Sequence, residues 1–188
     1  MITRLSTAGL LAAALLVLST PAAAQSGHDH DGFWGSAGLG GGWNTSEGLD
    51  DDQRGGGALY LRLGGTPDQQ LLLGGEIIGW GREVGDATLT RSNATFTAQF
   101  YPIDRGGFFV KGGIGGANVE VSAESGGTTV TTSEQGFATT LGAGWDVRLS
   151  SNLYLTPNAD FLFQAFDAGP NLTSTNTLFL LTVGLTWY

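Results

Sequence analysis

The sequence predicts an all-β chain, folded as an eight-stranded antiparallel up-and-down transmembrane β-barrel. Three observations carry that prediction. Eight segments alternate apolar and polar residues with a period of two, as strands with one apolar face do. Charged residues make up 13% of the chain, against about 25% in a typical soluble domain. The connections between segments alternate between long and short, as in single-chain membrane barrels.

The N-terminus reads as an export signal. Arg4 gives a positive start, and Leu10 to Leu18 is an apolar run. That run is far short of the ~20 residues a spanning helix needs. Pro21 and then Ala22-Ala23-Ala24 supply a small-residue cleavage site, placed after Ala24. Residues 1–24 are therefore expected to be a cleaved signal peptide, 25–31 a polar linker, and 32–188 the barrel domain. The chain has no cysteine, so no disulfide framework supports it.

The segments follow in order. The first, Gly32 to Trp43, carries Phe33, Ala37, Leu39 and Trp43 on one parity. Ala58 to Gly64 alternates Leu59, Leu61 and Leu63 with Tyr60 and Arg62. Leu71 to Trp80 sets Leu71, Leu73 and Ile77 against Glu76. In Leu89 to Tyr101, Ala94, Phe96, Ala98 and Phe100 alternate with Arg91, Asn93, Thr95, Thr97 and Gln99. Gly107 to Val119 opposes Phe108, Val110 and Ile114 to Phe109 and Lys111, the chain's single lysine. Gly136 to Val147 opposes Phe137, Leu141 and Trp145 to Thr140 and Asp146. Leu153 to Phe163 opposes Leu155, Phe161 and Phe163 to Thr156, Asn158 and Asp160. Thr177 to Tyr188 closes with Phe179, Leu181, Val183, Leu185 and Trp187 on one face. Long connections are expected at Asn44–Gly57, Gly81–Thr88, Glu120–Gln135 and Gln164–Asn176. Short ones are expected at Gly65–Gln70, Pro102–Gly106 and Arg148–Asn152.

Alternation alone does not say whether the apolar face points in or out. The sparse charges decide for out. Arg62, Glu76, Arg91, Lys111, Asp146 and Asp160 are of both signs and spread over six segments, which suits mutual neutralisation in a narrow interior. Aromatic residues gather toward segment ends, at Trp43, Trp80, Tyr101, Phe108, Trp145 and Trp187. That is the pattern of interfacial girdles. An apolar-in barrel would also leave a water-facing surface of Gly, Thr and Asn with almost no lysine.

Several stretches then resemble the small eight-stranded outer-membrane β-barrel families, of the OmpA transmembrane-domain and OmpX-like porin-family kind. They are Tyr101-Pro102 before a short turn, Gly107 to Gly113, Leu155 to Asp160, and the closing Val183 to Tyr188. The resemblance covers residue 32 to the end. It implies an exported chain in the cell outer membrane of a Gram-negative-type bacterium, with both termini periplasmic and four extracellular loops. It implies outer-membrane lipid and lipopolysaccharide as surroundings, and the barrel-assembly machinery as a partner in biogenesis. That machinery reads a terminal aromatic signal, here Trp187 and Tyr188, although the apolar parity contains Trp187 and not Tyr188.

Chemistry-bearing constellations are few. His28 and His30, with Asp29 and Asp31, are a weak candidate for Zn, Cu or Ni; a solvated linker is the plainer expectation. No segment of the barrel contains a histidine to activate a nucleophile, so the chain is not expected to be an enzyme. Nothing calls for a cofactor. The formal net charge of −9 argues against nucleic acid. The acidic tract Glu47 with Asp50-Asp51-Asp52 suits a solvated loop, outer-leaflet divalent cations or a cationic partner, and the Thr/Ser-rich stretch Gly127 to Ser133 suits an exposed hairpin. The interior charges read as a static plug, because an eight-stranded barrel is just wide enough for side chains to fill. The expected role is structural or interactive, with a closed polar interior. Two alternatives stand beside it: a narrow channel for ions or small solutes, and a lipocalin-like or outer-leaflet hydrophobic ligand-binding barrel.

Overall fold

The computed structural model describes residues 30, 32–45, 55–85, 87–103, 106–125, 128–167 and 173–188. The expected signal peptide, most of the linker and the tract at Asp50 to Asp52 lie outside the described residues.

The alternating segments form β1 (Gly32–Asn44), β2 (Gly55–Asp68), β3 (Leu71–Val84), β4 (Ala87–Phe100), β5 (Phe108–Ser125), β6 (Thr128–Trp145), β7 (Val147–Arg148), β8 (Leu153–Asp167) and β9 (Thr173–Trp187). β1 to β6 pair antiparallel in sequence order, β6 and β7 both pair with β8, β8 pairs with β9, and β1 pairs with β9, which closes the sheet on itself. The two-residue β7 continues β6. Gly144 pairs with Asn158 and Val147 with Leu155, one register on both sides of Asp146. The architecture is a closed antiparallel barrel of eight full strands. Closure leaves no edge along the barrel wall, so every strand's backbone donors and acceptors find partners there.

The apolar parity faces outward over most of the wall. Leu39, Ile77, Phe96 and Ile114 stand on the outer surface, while Arg62, Glu76, Lys111 and Asp160 are buried inside. That arrangement rules out the apolar-in, lipocalin-like soluble barrel. Call the end holding the first and last strands' outer limits, near Gly32 and Tyr188, the terminal end, and the opposite end the distal end. Toward the distal end apolar residues line the inner face as well as the outer. Ile78, Trp80, Leu162, Leu178 and Leu180 pack into a buried cluster inside the barrel, with Leu89 against it. Above it Ala117, Ala138 and Phe166 form a second, joined by Val119. The interior is therefore layered, not uniformly polar as the sequence suggested.

Two expected long loops are mostly strand. β3 and β4 meet through Gly85 and Asp86, with Val84 paired to Ala87. Gly85 takes φ 60°, a left-handed conformation that glycine adopts without a Cβ penalty. β5 and β6 pair without a break from Phe108–Trp145 to Ser125–Thr128, so most of the expected loop Glu120–Gln135 is strand. β8 reaches only Phe166 opposite Gly136. The β5–β6 hairpin thus rises beyond the barrel, supported on one side by β4 as far as Ala87–Ala123.

Candidate functional site

The interior holds the polar groups that sequence reasoning singled out, and it divides them into separate sets. Arg62 on β2 and Glu76 on β3 are direct cross-strand partners. On the far wall Lys111 of β5 and Asp160 of β8 flank Gly142 of β6, which pairs with both. The four side chains meet at the barrel axis. Arg62 Nε and Lys111 Nζ both donate to Glu76 Oε2. Lys111 Nζ lies 2.9 Å from Asp160 Oδ1, and Arg62 Nη2 lies 3.4 Å from Asp160 Oδ2. Two cations and two anions cancel, and every member is nearly inaccessible. A buried charge demands such partners, since each ion has given up its hydration.

Neighbouring groups that sequence reasoning did not single out complete the layer. Arg62 stacks 4.0 Å from the Tyr60 ring centroid and donates from Nη1 to Asn158 Oδ1 at 3.1 Å. Asn158 Nδ2 donates in turn to Tyr60 OH. Gly142 is required here: a Cβ at that position would collide with Asp160 Oδ1 and Lys111 Cε.

Asp146 does not join this quartet. It sits nearer the terminal end as the acceptor of a second cluster. Its Oδ2 accepts from Tyr101 OH at 2.7 Å and Tyr188 OH at 2.8 Å, and its Oδ1 accepts from Thr156 Oγ1 at 2.6 Å. Tyr101 and Tyr188 lie just past the ends of β4 and β9. Burial first, and the Asp146 carboxylate second, hold both phenols well above the ordinary tyrosine range. Arg91 also stands outside the quartet. It points inward from β4 on the distal side, opposite Trp80, and its Nε and Nη1 meet no acceptor among the described residues.

The aromatic girdle expectation needs correction at two positions. Trp80 and Tyr101 are 1% exposed and point inward. Trp80 shares the parity of Glu76, and Trp80 Nε1 donates to Gly42 O at 3.1 Å across the interior. The outer face carries Trp43, stacked on Phe179, at the distal end. At the terminal end it carries Trp145 beside Phe108, together with Trp187.

His30 also departs from the solvated linker. It is buried, its backbone N–H donates to Gln69 Oε1 at 2.9 Å, and its ring Nδ1 lies 2.7 Å from Gln69 O. The ring packs 4.2 Å from Tyr101 and 4.6 Å from Tyr188. With Trp34, Leu72 and Phe109 these aromatics close the terminal mouth. His28 lies outside the described residues. Among the described residues no group of three His, Asp or Glu is placed to hold a metal.

No protein-family model and no curated protein sequence matches the chain. Solved structures do. Neisserial surface protein A superposes with a TM-score of 0.57 at 12% identity, over 85% of this chain and 99% of that one. Ail, the attachment invasion locus protein of Yersinia pestis, superposes with a TM-score of 0.56 at 14% identity, over 84% of this chain and 99% of that one. The same protein in complex with the heparin analogue sucrose octasulfate gives a TM-score of 0.55. The chain has the fold of the small eight-stranded outer-membrane β-barrels. In barrels of this kind, termini and long connections lie at opposite ends. Here the terminal mouth is sealed by the His30–Tyr101–Tyr188 cluster, and the hairpin rises at the distal end.

Proposed function

We propose that this chain is an outer-membrane interaction protein: a plugged barrel that presents its distal end outside the cell. Residues 1–24 direct export and are cleaved. The barrel-assembly machinery inserts the rest, and lipid and lipopolysaccharide surround the apolar wall. The terminal end faces the periplasm. The role is non-enzymatic.

One observation carries the reading. The interior is filled from end to end, by the aromatic seal, the Asp146 cluster, the neutral quartet and the distal apolar clusters. A filled interior supports a scaffold over a conduit. What remains for contact is the distal end, where the β5–β6 hairpin stands clear of β8. That end is acidic. Glu83, Glu120, Glu134 and Asp167 lie on its strands, against Arg82 and Arg91. A cationic partner fits this field. The Yersinia protein has been seen with a heparin analogue; the charge here disfavours such a polyanion.

The test is conductance of the refolded mature chain in a planar bilayer. Silence from a folded, heat-modifiable barrel is expected. Reproducible unitary steps that shift when Glu76 or Lys111 is neutralised would overturn the plug and make the protein a narrow channel.

A further inference from the structure

Between the Asp146 cluster and the quartet runs an unbroken chain of hydrogen bonds through the barrel interior. It starts at Asp146, whose Oδ1 accepts from Thr156 Oγ1 at 2.6 Å. Thr156 Oγ1 lies 2.8 Å from Thr186 Oγ1, which lies 2.7 Å from Ser36 Oγ. Ser36 Oγ lies 3.1 Å from Tyr60 OH. Tyr60 OH accepts from Asn158 Nδ2 at 3.1 Å, and Asn158 Oδ1 accepts from Arg62 Nη1 at 3.1 Å. All of these side chains are buried. The chain crosses the seam where β9 meets β1, through the directly paired Ser36 and Thr186.

Its direction is fixed by its ends. A hydroxyl has one proton to donate. Thr156 gives that proton to the Asp146 carboxylate, which only accepts. Thr186 must therefore donate to Thr156, Ser36 to Thr186, and Tyr60 to Ser36. At the other end the Arg62 guanidinium only donates. Asn158 accordingly turns its oxygen to Arg62 and its amide nitrogen to Tyr60. Every donor thus points from the Arg62 cation toward the Asp146 anion. Bonds aligned head to tail polarise one another and strengthen together. The backbone is shaped to admit the phenol. Gly38 and Gly184 pair across the seam, and a Cβ on either would collide with Tyr60.

We infer that this chain is an internal relay that fastens the quartet to the terminal seal, so that the two layers hold or yield as one unit. Asp146 is the shared anchor. Its second carboxylate oxygen holds Tyr101 and Tyr188. Displacing the seal frees the carboxylate to turn away from Thr156. The hydroxyls then lose the acceptor that orients them, and the Asn158 contact with Arg62 loosens at the barrel axis. Asp146 is in this sense a positioning residue for Arg62. The relay lies wholly inside the barrel and operates whatever the distal end contacts.

A double-mutant cycle tests the relay, with the mature chain refolded in lipid vesicles and unfolded in urea. It pairs Asp146→Asn with Glu76→Gln, because Glu76 holds Arg62 through Nε and not through the relay nitrogen Nη1. The cycle is run with Thr186 present and again with Thr186→Val, which deletes one relay hydroxyl and keeps the side-chain shape. The expected coupling is about fivefold in the unfolding constant. It should vanish with Thr186→Val and return with Thr186→Ser. Direct attraction between the charges would survive the valine, so a coupling that persists there overturns the relay, as does no coupling at all. The Arg62 Nε–H proton resonance in nanodiscs gives a readout apart from stability. Asp146→Asn should shift it in the otherwise unchanged chain and leave it in place beside Thr186→Val. Ser36→Ala breaks the chain one link further on and should reproduce the effect of Thr186→Val on both readouts. A shift that ignores both breaks means that Asp146 acts on Arg62 without the hydroxyls.

Discussion

Tyr101 and Tyr188 lie 87 positions apart, yet their hydroxyls are 2.7 Å from each other. Both donate to one oxygen of Asp146. The last residue of the chain is thereby tied to the turn region after β4. Tyr188 is further held by Asn152, whose Nδ2 donates to Tyr188 O at 3.0 Å. His30 packs against both tyrosine rings, so the two ends of the barrel domain meet at one mouth.

This arrangement sets a pH dependence. Both phenols are held protonated by burial and by the Asp146 carboxylate. Their folded values are raised above the unfolded ~10, so their contribution is fully present below about pH 10 and lost as pH rises through the folded values. Phenolate absorbance of the refolded barrel should therefore lag that of the unfolded chain. In the Tyr101→Phe and Tyr188→Phe variants the loss of stability at high pH should shrink. Coincident titration of folded and unfolded protein would remove Asp146 from this role.

The quartet predicts a non-additive pair. Lys111→Met leaves Glu76 and Asp160 to share Arg62 in a buried site. Removing one member of a buried ion pair costs about 3–5 kcal/mol. Adding Glu76→Gln restores charge balance, with Arg62 left facing Asp160. Urea unfolding in lipid should show the double variant losing much less than the sum of the singles. Additive losses would mean that the charges do not act as one unit.

Gly142→Ala probes the same layer without removing a charge. The new methyl would fall against Asp160 Oδ1 and Lys111 Cε. Overpacking of this kind costs about 1–3 kcal/mol. The same change at Gly75, where a Cβ would meet nothing within 4 Å, should be neutral or slightly stabilising, because alanine restricts the unfolded chain. Equal effects at the two sites would contradict the packing described for the quartet.

The strand parities were legible because the wall separates two environments, and period-two alternation records that separation directly. Where the separation changes, the signal fails. In β5 the apolar residues run Phe108, Val110, Ile114 on the outer parity, then Ala117, Val119, Val121 on the inner. The phase reverses at the distal rim, where an interior cluster replaces the outer surface as the apolar environment. Read as one period, the pattern stops there, and the upper half of the hairpin looks like a loop. Trp80 departs from the girdle for a related reason. Position near a strand end suggested a girdle, but its parity with Glu76 already placed it inside. Height within the barrel left no trace in the sequence, so Asp146 and Asp160, on one inner face of adjacent strands, could not be separated. His30 was hidden by its polar neighbours. Its burial depends on Gln69, Tyr101 and Tyr188, which only closure of the barrel brings together.

The five tryptophans allow a direct reading of which side each occupies. Trp34 and Trp80 are buried inside; Trp43, Trp145 and Trp187 stand on the outer wall at 48%, 44% and 41% exposure. Five variants, each keeping one tryptophan and carrying phenylalanine at the other four, are refolded into bilayers whose acyl chains bear a quencher. Contact with lipid is needed for efficient quenching. Trp43, Trp145 and Trp187 should be strongly quenched, while Trp34 and Trp80 should be spared. Because Trp43 lies at the distal end and Trp145 and Trp187 at the terminal end, quenchers placed near the headgroups should outperform quenchers at the bilayer centre for all three. Strong quenching of Trp80 would place it in the girdle after all, and the distal apolar cluster built around it would have to be abandoned.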